Sequence, residues 1–228
     1  MHTDSFLTGA DLAALAVFIG VWILHSYAAE ASLGKRISLT TAMNRQRETW
    51  MKTMAQRDLR MIDTSIMIGL QQGTGFFASA SILALGGCFA LLGASDQVMV
   101  ILGDLPLGNV PSRAVFEAKV LGLVVLLAYA FFKFGWAYRL FNYCSILIGA
   151  VPVLREAEGG GMDAAVERAA TMNILAGKHF NAGLRGIFFS IGYLGWFVGP
   201  LVLVVTTLLV LAVLLRRQFF SAARRAVI

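Results

Sequence analysis

The chain has 228 residues, of which 58% are hydrophobic and only 14% charged, and its mean hydropathy is +0.74. That balance excludes a water-soluble domain, because so much apolar surface needs lipid as its solvent. The formal net charge is +6, but the Lys and Arg residues flank apolar runs without forming a continuous basic arm, so no nucleic-acid partner is expected.

The first apolar run covers about residues 10–29, enough to cross roughly 30 Å of hydrocarbon. No positive n-region precedes it, so the run is read as a retained span although Ala29-Glu30-Ala31 resembles a cleavage site. Residues 30–60 form the most charged connection, with seven Lys and Arg. Within it Asn44, Arg47, Met51, Met54, Asp58 and Met61 recur at three- and four-residue steps, the face of a helix predicted to run unbroken from Thr41 into the next span. That face, together with Trp50, suggests contact with a partner helix, either in the same chain or in another subunit. A basic helix lying on anionic headgroups is the competing reading.

The second run, residues 61–93, is longer than a bilayer core requires at ~1.5 Å per residue, so it must tilt, kink or project into water. Its small residues, Gly69 and Gly73 among them, recur four apart and favour close helix contact, within an oligomer or with a partner. Asp63, Gln71, Gln72, Thr74 and Ser79 are polar groups that lipid disfavours, which makes them candidates for pore lining or interhelical hydrogen bonds. Residues 94–111 hold no Lys or Arg and read as a turn-rich loop on the far side. The third run, residues 115–148, is overlong as well; Lys133 on it is placed as a snorkelling side chain or as a charge partner for Asp63. Cys88 and Cys144 should be free thiols near opposite faces.

A second polar connection, residues 150–185, includes Asp163 as candidate N-cap of an amphipathic helix on the membrane surface. The last span, about residues 187–215, should bend at Gly199-Pro200. The resulting fold is an all-α membrane protein of a single domain, residues 1–228, with about four transmembrane helices, the second and third extending into the cytoplasm. The distribution of basic residues puts the first and third connections in the cytoplasm and the N-terminus outside. Four spans then leave the tail arginines, Arg216, Arg217, Arg224 and Arg225, on the wrong side; a re-entrant bend at Gly199-Pro200 would return them.

No nucleophile elbow, Walker loop, HExxH or CxxC pattern occurs, and Gly159-Gly160-Gly161 reads as a hinge, so catalytic residues are not expected. His25 and His179 fall near the same predicted face, where haem or metal ligation is the weaker alternative to interfacial hydrogen bonding. The segments Asn44-Arg45-Gln46-Arg47-Glu48-Thr49-Trp50-Met51, Arg57-Asp58-Leu59-Arg60-Met61-Ile62-Asp63 and Phe180-Asn181-Ala182-Gly183-Leu184-Arg185 resemble the bacterial and plant membrane family catalogued as domain of unknown function 599. The resemblance implies a polytopic membrane protein and carries no catalytic residues with it. The expected role is a homo-oligomeric channel for small ions or solutes in a bacterial inner membrane; an accessory or scaffold subunit docked on another membrane protein is the alternative.

Overall fold

The computed structural model describes residues 7–30, 37–104, 112–153 and 161–228, and the helices they form are α1 (Gly9–Glu30), α2 (Leu39–Ala55), α3 (Met61–Gly93), α4 (Ser95–Asp104), α5 (Arg113–Ala150), α6 (Met162–Tyr193), α7 (Gly195–Val198), α8 (Pro200–Phe219) and α9 (Ala222–Val227). Serine caps start three of them: Ser38, Ser112 and Ser221 accept from the backbone amides of Thr41, Val115 and Arg224. Proline begins α8, where its missing N–H costs nothing. Among the described residues, four stretches are long and apolar enough to cross a membrane: Gly9–Ala29, Met61–Gly93, Arg113–Ala150 and Pro200–Val227.

Side-chain contacts give the register of the bundle. Antiparallel α3 and α5 are joined by Gln71 donating to Ser145 Oγ at 3.1 Å and by the Phe77 and Phe134 rings at 5.4 Å. Antiparallel α5 and α6 are joined at one end by the Cys144 thiol on the Ala169 carbonyl, and at the other by the Tyr193 hydroxyl on the Lys119 carbonyl at 3.0 Å. From Ala169 to Tyr193 the chain therefore rises about 36 Å, more than a hydrocarbon core is thick. α6 is a fifth pass between the two ends of the bundle, although its composition does not mark it as a span.

That pass accounts for the tail arginines. α8 leaves the Gly199 turn and runs parallel to α1, so that Gln218 reaches the Ala29 carbonyl at 3.1 Å and Arg224 the Ile37 carbonyl at 2.8 Å. The tail thus lies at the same end as the start of α2, the end that carries the first basic connection. Gly199-Pro200 is the reversal between α6–α7 and α8, not a kink within one span.

Three further local expectations differ from what is found. The helix starting near Thr41 ends at Ala55, and residues 56–60 turn the chain back before α3 begins. The amphipathic helix near Asp163 is the first half of α6; Gly161 caps it, Asp163 lies in its first turn, and Ala165, Val166, Ala169 and Ala170 are buried against the bundle. Residues 95–104 form the short helix α4, not a turn-rich loop, and Asp96 on it pairs with Arg113 at 2.7 Å. The Gly159-Gly160 part of the expected hinge lies outside the described residues.

Two cores result. One, toward the basic end, gathers Met51, Met54, Met67, Phe141, Cys144 and Ala169; the other gathers Phe18, Val120, Phe189, Tyr193, Trp196 and Leu203. Glycine lets α6 sit this close to α5: a Cβ on Gly183 would lie 2.7 Å from the Phe134 ring.

Candidate functional site

Among the described residues, three clusters of polar groups tie helices together, each set by helices meeting at one level. At the end away from the basic connections, Trp196 donates to Asp11 Oδ1 at 2.7 Å while Lys119 Nζ donates to the Trp196 carbonyl at 2.8 Å. Asp11 also accepts from the Thr8 hydroxyl at 2.6 Å. These bonds tie α1, α5 and the α7 turn together and satisfy a carboxylate and an ammonium that would be costly in lipid.

The second cluster holds the turn between α2 and α3. Asp63, fully buried, accepts from Trp50 Nε1 at 2.7 Å and from Arg57 at 2.6 Å. Arg60 adds a guanidinium over the end of α5, donating to the carbonyls of Ile148 at 3.0 Å and Pro152 at 2.8 Å, where unpaired acceptors and the helix dipole favour a cation. Asp63 therefore pairs with Arg57 and not with Lys133. The register explains why: Gln71 faces Ser145, so Asp63 lies beyond the end of α5, whereas Lys133 is near that helix's middle, with its ammonium 5.3 Å from the Tyr129 ring.

The third cluster joins α2 to α6. Arg47 donates to Asn173, whose amide nitrogen in turn faces Met67 and Cys144 sulfur, and the Arg47 guanidinium lies 5.9 Å from the Phe141 ring. Burial pushes Arg47 down from its ordinary pKa, yet a guanidinium stays charged. Met51 and Met54 are fully buried beside it. The helix face read from Asn44 to Met61 thus finds its partner in the same chain, as far as Met54. Asp58 lies in the turn and Met61 just past it, and both are exposed.

Of the polar residues on α3, Asp63, Gln71 and Thr74 turn toward the chain's own helices, Thr74 donating to the Leu70 carbonyl at 2.7 Å. Gln72 and Ser79 are exposed on the opposite side, as are Gly69 and Gly73, where an added Cβ would meet nothing within 4 Å. The histidines rest against different rings, His25 on Phe189 and His179 on Trp136. Among the described residues no group of three or more His, Cys, Asp or Glu is placed to hold a metal ion. Sequence reasoning missed Asn173, the Trp196 carbonyl as the partner of Lys119 with Asp11 beside it, and the α6 glycines. A polar residue every few positions along 162–193 was the available signal for a helix enclosed by protein.

The profile of the family described as "Protein of unknown function, DUF599" matches residues 13–223. The chain belongs to this family. No curated protein and no solved structure matches it. Membership in DUF599, together with four helices of spanning length and apolarity, makes the chain a multi-pass membrane protein whose family has no assigned function.

Proposed function

We propose that this DUF599 protein is a homo-oligomeric conduit for small ions or solutes, assembled through the outer face of α3, in a bacterial inner membrane with its basic end toward the cytoplasm. The observation that carries the reading is the one-sidedness of α3. Its inner side packs on α5, while the other side leaves Gln72 and Ser79 open among Gly69, Gly73, Ala80 and Gly87. An amide facing acyl chains is costly, and small residues let another backbone approach, so a second copy of α3 satisfies both conditions. Copies arranged about an axis bring the Gln72 amides toward a common centre, where they offer donors and acceptors to a hydrated solute.

A Gln72→Cys variant tests assembly, since both native cysteines are buried. Oxidation in native membranes is expected to give covalent dimers of this chain, and purified wild-type protein in liposomes is expected to pass small ions. A monomer with neither cross-link nor flux refutes the reading, and a cross-link to a different protein favours the accessory-subunit alternative.

A further inference from the structure

The structure holds a second feature, independent of α3 and complete within one protomer. At the basic end, α1, α2, α6 and α8 line a cavity of about 220 Å³. Its charged lining is of one sign: Arg47, Arg185 and Arg217 face it, and among the described residues no carboxylate does. Neutral donors, the Asn44 and Asn181 amides, complete the polar wall. We infer that this cavity binds a phosphate-class oxyanion, either free phosphate or the headgroup of an anionic phospholipid.

Three observations support the assignment independently. Guanidinium groups gathered around one cavity repel one another, an anion between them relieves that repulsion, and their planar forks suit tetrahedral oxyanions. The first turn of α2 opens onto the same space through Leu39 and Thr40, which adds the positive end of a 17-residue helix. His25 is only 4% exposed and lines the cavity, yet both its ring nitrogens lack a hydrogen-bond partner. A buried imidazole without a partner is unfavourable, and a rotation of the ring toward the cavity lets an oxyanion there supply its acceptor.

The volume is below that of a site for a drug-sized molecule, which runs from about 300 Å³, and matches one small headgroup. Apolar side chains, Leu184, Phe188 and Leu214 among them, cover the remaining wall. The cavity therefore joins a basic floor to a greasy side at the level where α1 and α8 end, the depth at which lipid phosphates lie.

The variant that isolates the site is Asn44→Asp, which places a carboxylate among the guanidiniums. It should hold or raise the melting temperature of the ligand-free protein while blocking an anion. In detergent, sodium phosphate is expected to raise the wild-type melting temperature above that in sodium chloride of equal ionic strength, and N44D is expected to lose that rise. In nanodiscs, native mass measurement is expected to find phosphatidylglycerol retained in preference to phosphatidylcholine by wild type and not by N44D. A shift with inorganic phosphate identifies a soluble anion; retention of phosphatidylglycerol without that shift identifies a lipid. Absence of both in the wild type, or identical behaviour of N44D, overturns the inference. Should N44D fail to fold, Arg217→Gln on the exposed rim replaces it, with phosphate affinity expected to fall about tenfold for the loss of one charged hydrogen-bonding partner, and unchanged affinity counting against the site.

Discussion

Helices α3 and α6 are of nearly equal length, 33 and 32 residues, and they occupy opposite positions for opposite compositions. α3 is the apolar one and sits at the edge, with 11% of its most apolar window buried. α6 carries Glu167, Arg168, Lys178 and Arg185, yet it lies at the centre, touching α1, α2, α5, α7 and α8. In water the apolar helix would be inside. In lipid there is little gain from hiding an apolar face, so association follows small residues and hydrogen bonds, which α6 has along its length. Between these two helices the apolar sequence takes the exposed position, and the one with small and polar residues along its length takes the interior.

A matched pair of alanine substitutions is the strongest way to break that comparison, and the larger effect is expected on α6. Gly183→Ala drives a Cβ to 2.7 Å from Phe134, a fully buried ring held between Phe77 and Phe180 at 5.4 and 5.6 Å. With no free direction for the ring to move, overpacking should cost about 3 kcal/mol, read as a lowered melting temperature in mild detergent. A change within experimental error would mean that α5 and α6 are not this close.

This inversion explains how much of the molecule was legible in the sequence. The α3 boundaries, Met61 and Gly93, are those of the second apolar run, and α1 and α5 each agree with their runs to within two residues at either end. Those helices carry exposed apolar side chains, and a long apolar run is the sequence signal of such a face. α6 escaped the same reading because Glu167 and Arg168, exposed near its basic end, the half-buried Lys178 and the buried Arg185 interrupt its apolar residues, and a linear pattern does not reveal the helices packed around it. The expected last span therefore merged the end of α6 with α8 across Gly199. The turn at residues 56–60 was hidden for a different reason: no Gly or Pro lies between Thr41 and Ile68, and the break is held by Trp50 and Arg57 on Asp63 and by Arg60 on α5. Of the candidate site, polarity singled out Asp63, Arg47 and Gln71 in the sequence, but their partners Arg57, Asn173 and Ser145 are set by tertiary register.

Asp63→Ala probes that hidden turn and is the intermediate case. It removes the acceptor for the Trp50 indole and for an Arg57 side chain that is 37% exposed. Solvent rehydrates much of the arginine, so the main loss is the buried indole bond to a charged group, about 2 kcal/mol. Protease cleavage near Arg57 and Arg60 should quicken in the variant, whereas an unchanged digest would place the turn's stability elsewhere.

The smallest effect on the protomer, and the most informative, is expected from Gly73→Ala, the partner of the Gly183 substitution. The new Cβ meets no atom within 4 Å, and alanine is the better helix former by up to about 1 kcal/mol. Protomer stability in a dissociating detergent should therefore hold or rise slightly. In a bilayer the same methyl would stand between two α3 backbones if that face joins copies, so the assembled mass should fall while the melting temperature does not. Losses of equal size at Gly73 and Gly183 would place both helices inside one protomer's core and remove the distinction between the two.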